Sequence, residues 1–358
     1  MSVELIASYG VMEGNGAYNK HAELQAGGAA LALSHLEGAA RSAILDPSDQ
    51  PVVIADYGSS QGKNSLAPIR VAVRTLQARL DQRRPILVCH IDQPANDFTS
   101  LFGLLDSDPT SYNVGDPNIF PCAIGRSFYG PVLPPNSVHL GWSAYAVVWT
   151  SRVPRLAADH LFPPRSNEEL RTAFRDQSAQ DWEQFLALRS AELRPGGRLV
   201  VVLPAVDDNG TSGFESIMDH ANAALVEMAG EGAITAEERA RMVLGVWARQ
   251  RHDILAPFER DAQFGQLTVE HYSTAVLADA AWADYLRDGN QEALATKHAR
   301  FFRSTFAPSL ACALDRSPER RCAFADRLEH RLSGRLVTKP EPLNSLVDTV
   351  VIAKRDVA

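Results

Sequence analysis

Short apolar runs alternate with amphipathic stretches over the first 205 residues of the chain. The apolar runs at 52–55, 86–91, 121–124, 138–140 and 198–203 predict buried strands, because a strand covered on both faces presents no polar side. The amphipathic stretches predict helices at 21–45, 65–83, 166–193, 144–149 and 98–105, the last with a loop as the alternative. This alternation predicts an α/β protein with a doubly wound, Rossmann-like parallel sheet.

The pattern changes after residue 205. A polar linker at 207–213 leads into a helical region at 216–262, in which Thr235 and Glu238 have the spacing of a capping box. A strand at 266–272, a helical region at 279–311 and a last strand at 345–353 follow. We therefore expect a core of residues 1–205, about 266–284 and 336–358. A mainly helical cap is expected from about 206–265 and 285–335.

The turn after the first predicted strand carries the strongest local signal. Asp56 ends this strand, and Gly58 and Gly62 bracket a short polar turn. Such a turn brings backbone amides close to a ligand, and an acid in the position of Asp92, after the next strand, commonly receives the hydroxyls of a ribose. Two acids would repel phosphates, and the third glycine of a dinucleotide fingerprint is missing. A nucleoside without phosphates, such as S-adenosylmethionine, fits better than a nicotinamide dinucleotide; a purely structural turn is the alternative.

Composition excludes several classes of partner. The formal net charge of −8 disfavours nucleic-acid binding. No apolar stretch is long enough to cross a membrane, and the first residues lack the pattern of a signal peptide, so we expect a cytoplasmic protein with no membrane partner. The four cysteines have no C-x-x-C spacing and the ten histidines are scattered, so neither a disulfide framework nor a metal site is expected.

Several longer motifs occur in a fixed order along the chain. They are G-N-G-A-Y at 14–18, A-D-Y-G-S-S-Q-G-K-N-S at 55–65, D-Q-P-A-N-D-F at 92–98, R-S-F-Y at 126–129, a segment from 137 to 154 that contains Tyr145 and Trp149, and L-R-P-G-G-R-L-V at 193–200. In this order they resemble the motifs of the SABATH family, the salicylate, benzoate and theobromine carboxyl methyltransferases, in a bacterial version. The resemblance covers nearly the whole chain.

The resemblance implies a class I methyltransferase fold with a helical cap over the active site. It implies transfer of a methyl group from S-adenosylmethionine to the carboxylate of a small-molecule acid, aromatic, terpenoid or similar, with S-adenosylhomocysteine as product and no metal required. It also implies a homodimer.

The family motifs assign roles to particular residues. Gln25 and Trp149 would bind and orient the substrate carboxylate with neutral donors, and Tyr145 and Val148 would line the substrate pocket. The residues assigned to the cofactor are Tyr18, Asp56, Gly58, Asn64, Asp92, Gln93, Ser127 and Phe128. Taken singly, Trp149 is as well explained as a core aromatic and Gln25 as a surface helix residue.

Some positions depart from the family pattern. His21 and Ala22 stand where the family has Asn-Ser, which removes a hydroxyl that helps to hold the cofactor. Val148 replaces a His or Met of plant members, which makes a salicylate-like hydroxyl contact less favourable. Two alternatives therefore stay open: a methyltransferase acting on nitrogen or a phenol, and a cofactor-binding protein without turnover.

Overall fold

The computed structural model describes residues 10, 12–80, 84–156, 159–259, 264, 266–315 and 317–356. Its strands are β1 (Val52–Tyr57), β2 (Ile86–Asp92), β3 (Ile119–Gly125), β4 (Val138–Ala144), β5 (Leu193–Ala205), β6 (Leu267–Leu277) and β7 (Ser345–Lys354). The helices before β5 are α1 (Ala17–His21), α2 (Glu23–Leu31), α3 (Leu33–Ser42), α4 (Lys63–Gln77), α5 (Phe98–Ser107) and α6 (Glu168–Glu192). Those after it are α7 (Glu215–Gly230), α8 (Ala236–Arg241), α9 (Arg251–Glu259), α10 (Ala280–Asp288), α11 (Gln291–Ala311) and α12 (Pro318–Thr338).

The strands form one seven-stranded sheet in the order β3-β2-β1-β4-β5-β7-β6. Neighbouring strands from β3 to β5 are parallel, which confirms the doubly wound arrangement. β7 runs antiparallel to both β5 and β6, so the sheet is mixed at this edge. As expected, the last two strands complete the sheet after the first cap helices.

Side chains of successive strand residues pack on opposite faces of the sheet. On β1, Val52 and Ile54 join a cluster with residues of α3 and α4, whereas Ala55 and Tyr57 join a second cluster with α6. This alternation follows from the two-residue period of a strand. Both faces are thus covered, which explains the continuous apolar runs in the sequence.

The cap has a core of its own, built mainly from α7, α11 and α12. The predicted capping box is present, because the Thr235 hydroxyl accepts from the Glu238 backbone and the Glu238 carboxylate accepts from the Thr235 backbone. All strands lie within the ranges assigned to the core, and α7, α8, α9 and α11 lie within those of the cap. The division into two parts remains a prediction.

Two predicted helical segments differ from the structure. Residues 144–149 are not a helix: β4 extends to Ala144, Tyr145 has a left-handed φ of 58°, and Trp149 bridges to Val246. The left-handed Tyr145 interrupts a helical backbone, and the Trp149 N–H closes a single turn onto Ala146, so no α-helix forms here. The segment 242–250, predicted as helical within 216–262, is irregular apart from isolated bridges at Val246 and Arg249, and residues 260–262 lie outside the described part.

Among the described residues, no helix combines the length and the apolar character needed to cross a membrane.

Candidate active site

An open cavity, with about 1170 Å³ of empty space including the solvent at its mouth, lies between the carboxyl ends of β1, β2 and β4 and the cap. Gly58, Asp92 and Ala144 line it from the sheet, and Met218 and Phe301 line it from α7 and α11. Ligands of open α/β sheets bind at this edge, where strands end and helices begin. Of the assigned residues, those that line this cavity are Tyr18, Gln25, Gly58, Asp92, Gln93, Phe128, Tyr145, Val148 and Trp149.

The turn after β1 is shaped by three left-handed residues. Gly58, Ser60 and Gly62 have φ values of 91°, 48° and 87°, and Gly62 is the N-cap of α4. A Cβ on Gly58 would lie 2.1 Å from the Cβ of Ala146, so only glycine fits here. The turn therefore needs glycine for contact with the segment after β4 as well as for its backbone conformation.

Asp92 lies at the tip of β2 beside this turn. Its two carboxylate oxygens accept the backbone N–H groups of Ser60 at 2.6 Å and Gln93 at 2.7 Å. Burial, together with a smaller effect of the nearby Asp56, raises the pKa of Asp92 to about 6, against the opposing effect of those two hydrogen bonds. The fixed carboxylate retains lone pairs that can accept from ribose hydroxyls.

Asp56 lies at the tip of β1 and is almost completely buried. Its Oδ2 is 2.8 Å from Nδ1 of His90, and Nε2 of His90 is 2.7 Å from the hydroxyl of Tyr112. Asp56 and Asn64 line a smaller cavity of about 340 Å³ that shares Tyr18, Gln25, Gly58 and Ser60 with the main one. Asp56 and Asn64 therefore adjoin the predicted cofactor site.

The N-terminal segment closes one side of the site. Asn64 Nδ2 donates to the backbone oxygen of Ala22 at 3.3 Å and its side chain also bonds to Tyr18. The Glu13 backbone oxygen accepts from Gln61 Nε2 at 2.5 Å. At the position where the family's serine hydroxyl is missing, the backbone of Ala22 thus holds the side chain of Asn64.

The two residues after β3 differ in their placement. Phe128 is buried, lines the main cavity and has its ring 6.0 Å from that of Phe185, edge to face. Ser127 does not line the described cavities; its Oγ accepts from the backbone of Tyr129 at 3.3 Å. Ser127 thus supports the turn that holds Phe128, and its contact with a cofactor remains a prediction.

Gln25 is only 6% exposed, which contradicts the simple surface-helix interpretation. Its Nε2 donates to Thr305 Oγ1 at 3.2 Å, and its Oε1 is buried without a hydrogen-bond partner. The Thr305 hydroxyl can donate as well as accept. The side-chain amide of Gln25 can therefore flip by 180° and accept from Thr305 through Oε1 while its NH₂ group faces the cavity. A buried, half-satisfied amide of this kind is suited to a polar ligand atom.

Trp149 is held by its backbone. Its N–H donates to Ala146 at 3.1 Å, and its carbonyl accepts from the Tyr129 hydroxyl at 2.6 Å. Gly10 lies against the ring, since a Cβ there would be 3.2 Å from Cδ2 of the indole. Within the described residues the indole Nε1 has no hydrogen-bond partner, so Trp149 offers a free donor to the cavity.

Tyr145 crosses the site close to α2. A Cβ on Gly28 would lie 2.0 Å from its hydroxyl oxygen, so glycine is needed there. The hydroxyl is buried without a hydrogen-bond partner, and burial holds its pKa above the usual value, so it stays protonated. Val148 adds an apolar surface next to Trp149.

Sequence reasoning missed several residues that line the cavity, most of them from the cap. They are mainly apolar: Leu24, Phe162, Phe214, Met218, Val246, Phe301 and Phe306, with Ser212 and Thr305 as polar members. Leu24 and Phe162 precede residue 205 and belong to the expected core. The apolar character of these residues indicated burial but not which partner they face. Leu24 and Phe301 also line a second cavity of about 610 Å³ on their other side.

The cavity has a simple charge distribution. Among the described residues that line it, Asp92 is the one charged side chain, and neither lysine, arginine nor histidine is present. No group of three or more His, Cys, Asp or Glu residues is placed to hold a metal ion in the described part of the chain. Independence from metals remains a prediction.

The sheet order, the antiparallel β7 and the polar strand tips define a class I methyltransferase fold. A family model described as "SAM dependent carboxyl methyltransferase" matches residues 7–339, so the chain belongs to this family, as its motifs predicted.

Known proteins agree with this assignment. The chain is 32% identical to "Methyltransferase FUS9" of Gibberella moniliformis (strain M3125 / FGSC 7600), over 61% of this chain and 58% of that protein. It is 26% identical to a "Farnesoic acid carboxyl-O-methyltransferase" of Arabidopsis thaliana, over 66% of this chain and 70% of that protein. The chain spans about three fifths of the length of the first of these curated relatives and of others that it matches.

A solved structure confirms the fold. "Loganic acid methyltransferase with SAH" superposes with a TM-score of 0.76, covers 96% of this chain and 98% of its own, and is 20% identical.

Proposed function

We propose that this chain transfers a methyl group from S-adenosylmethionine to the carboxylate of a small, singly charged and otherwise apolar acid. The observation that carries the proposal is that two residues with neutral polar groups, Gln25 and Trp149, line one cavity, which has no cationic side chain among its described lining residues. Family membership and the relatives' names support the same reaction class.

The cofactor site fits a sulfonium nucleoside. Asp92 would accept the ribose hydroxyls, Phe128 would cover the adenine ring, and Asp56 with Asn64 would hold the methionine end. The hydroxyls of Ser59 and Ser60 are buried without partners, which leaves polar atoms for a ligand to satisfy. When bound, S-adenosylmethionine supplies an electrophilic methyl group.

The protein's residues position the acceptor oxygen. A carboxylate is already a nucleophile at neutral pH, so the site must orient it in line with the methyl group and keep water away. Gln25 and Trp149 donate neutral hydrogen bonds, which fix the anion without the strong ground-state stabilisation of an arginine pair. Phe214, Phe301 and Phe306 of the cap exclude water.

The cavity also limits the substrate. A second charge on the acid would be buried without a counter-charge, which costs several kcal/mol or more. The apolar side chains of the cap instead favour an apolar body, aromatic, terpenoid or similar. Identification of the particular acid requires a screen.

The two alternatives receive less support. Methylation of a phenol or a neutral nitrogen calls for a general base. Among the described residues that line the main cavity, Asp92 is the one acid, and its proposed role is on the cofactor side. A protein without turnover was considered because His21 and Ala22 lack the family's hydroxyl near the cofactor. The backbone oxygen of Ala22 nevertheless accepts from the side chain of Asn64, which is assigned to the cofactor.

The test separates donor loss from cofactor loss. Trp149→Phe keeps the aromatic ring but removes the N–H, and we expect kcat to fall about 100-fold, as for loss of one preorganised donor. Trp149→Ala should abolish turnover. Both variants should bind S-adenosylhomocysteine as the wild type does in titration calorimetry.

A matched control is Trp247→Phe, because Trp247 does not line the described cavity and packs in a separate cluster. It should retain activity. Equal activity of Trp149→Phe and wild type, or loss of cofactor binding in Trp149→Phe, would contradict the role proposed for the indole.

A homodimer, a cytoplasmic location and a bacterial origin remain predictions of the sequence and the family. Light scattering during gel filtration of the purified chain tests the first, and a monomer at all concentrations would contradict it.

A further inference from the structure

An acid, an imidazole and a phenol form a hydrogen-bonded chain beneath the cofactor end of the sheet. His90 bridges Asp56 at 2.8 Å and Tyr112 at 2.7 Å, and the three residues are 2%, 0% and 5% exposed. Asp56 on β1 and His90 on β2 are register partners in parallel strands. The backbone of the sheet therefore fixes the distance between the carboxylate and the ring.

The stability of the fold does not explain the hydrogen-bonded group of Asp56, His90 and Tyr112. The preceding residues on the same sheet face, Ile54 and Val88, are aliphatic and belong to the core cluster that also includes Tyr112. Apolar side chains at the two polar positions would continue this packing, and such replacements of buried polar pairs are often neutral or stabilising. The polar chain is thus better explained by a ligand than by packing.

The hydrogen bonds fix the state of the imidazole. Burial holds the pKa of Tyr112 well above its usual value, so its hydroxyl keeps the proton and can donate to Nε2 of His90. A ring that accepts at Nε2 carries its proton on Nδ1, which then donates to Asp56 Oδ2. Tyr112 thereby selects the tautomer that holds the Asp56 carboxylate.

We infer that His90 is a positioning residue for the cofactor: it holds Oδ2 of Asp56, so that the other carboxylate oxygen is presented to the ammonium group of the methionine moiety. The inference rests on the proposed function. Asp56 lines the smaller cavity with Asn64 and Ser65, where this end of the cofactor would lie. Without His90, no side chain would fix the orientation of the Asp56 carboxylate. The repulsion between Asp56 and the nearby Asp92 would then have no hydrogen bond from His90 to offset it.

The test compares two ligands that share the adenosine part. S-adenosylhomocysteine has the amino-acid ammonium, and 5′-methylthioadenosine lacks it. His90→Leu removes the donor at similar volume, and we expect it to weaken S-adenosylhomocysteine about tenfold, the size of one hydrogen bond to a charged group. Binding of 5′-methylthioadenosine should change less than twofold.

Two further variants make the result specific. His90→Asn returns an N–H near the position of Nδ1 and should recover most of the S-adenosylhomocysteine affinity. Tyr112→Phe removes the hydroxyl that selects the tautomer of His90. It should lower the affinity for S-adenosylhomocysteine selectively, by a smaller factor than His90→Leu. Should His90→Leu fail to fold, Tyr112→Phe alone decides, and an unchanged ratio of the two affinities would overturn the inference.

Equal weakening of both ligands would indicate a general structural role and would also overturn it, as would full S-adenosylhomocysteine affinity in folded His90→Leu. Failure of the wild type to bind S-adenosylhomocysteine is a distinct result: it would contradict the proposed function and remove the ligand assigned to Asp56.

Discussion

Lowering the pH from about 7.5 to about 5 should weaken cofactor binding through Asp92. Burial, followed by the effect of Asp56, raises the pKa of this carboxyl to about 6 in the free protein. Ribose hydroxyls donate to the ionised form, so binding favours the carboxylate and lowers its pKa. Affinity is then complete above the free-protein pKa and falls as the pH drops through it.

The magnitude follows from the free-protein pKa. At about pH 5, one unit below it, about a tenth of the molecules carry the ionised carboxylate, so the Kd of S-adenosylhomocysteine should rise about tenfold over its value at pH 7.5. Titration calorimetry over this pH range measures the slope. In Asp92→Asn the slope should disappear, and the Kd at pH 7.5 should rise about tenfold or more, because a charge-assisted acceptor is lost.

The matched control is Asp284→Asn, which removes an exposed acid that pairs with Lys297 and Arg287 away from the cavity. It should keep the wild-type profile. A flat wild-type profile between about pH 5 and 7.5, or an undiminished slope in Asp92→Asn, would refute the assignment of Asp92 to the ribose.

Two further predictions concern the shape of the acceptor site. Gly28→Ala places a Cβ 2.0 Å from the Tyr145 hydroxyl, so it should lower the free energy of unfolding by about 1–3 kcal/mol and reduce turnover. The control Gly38→Ala, which has nothing within 4 Å of the new Cβ, should be neutral or stabilising. Equal unfolding temperatures of the two variants would contradict the tight contact. Leu24→Ala opens the wall to the second cavity, and kcat/KM for a bulky acid relative to a small one should rise about tenfold; an unchanged ratio would show that Leu24 does not limit substrate size.

Local patterns located the residues that we propose for the cofactor side of the site. Asp56, Gly58 and Asp92 lie at strand ends, as expected for short apolar runs that are followed by an acid or a glycine. His90 was overlooked because it lies inside such an apolar run, and its partner Tyr112 comes from a distant loop.

The acceptor side depends on contacts that no local pattern encodes. The segment from Tyr145 to Trp149 forms a turn after β4, where Gly28 on α2 leaves room for Tyr145 and Val202 accepts its backbone N–H. Thr305, which bonds Gln25 across 280 residues of sequence, belongs to a helix whose pattern indicated only burial. The family motifs located Gln25 and Trp149, whereas their environment required the tertiary structure.

The most direct measurement supplies labelled S-adenosylmethionine together with matched pairs of small acceptors, each pair an acid and a phenol on the same apolar skeleton. We expect methyl esters from the acids alone, at a rate that stays level from about pH 6.5 to 8.5, because the carboxylate is already ionised. Methylated phenols, or a rate that climbs with pH as a base loses its proton, would contradict this expectation.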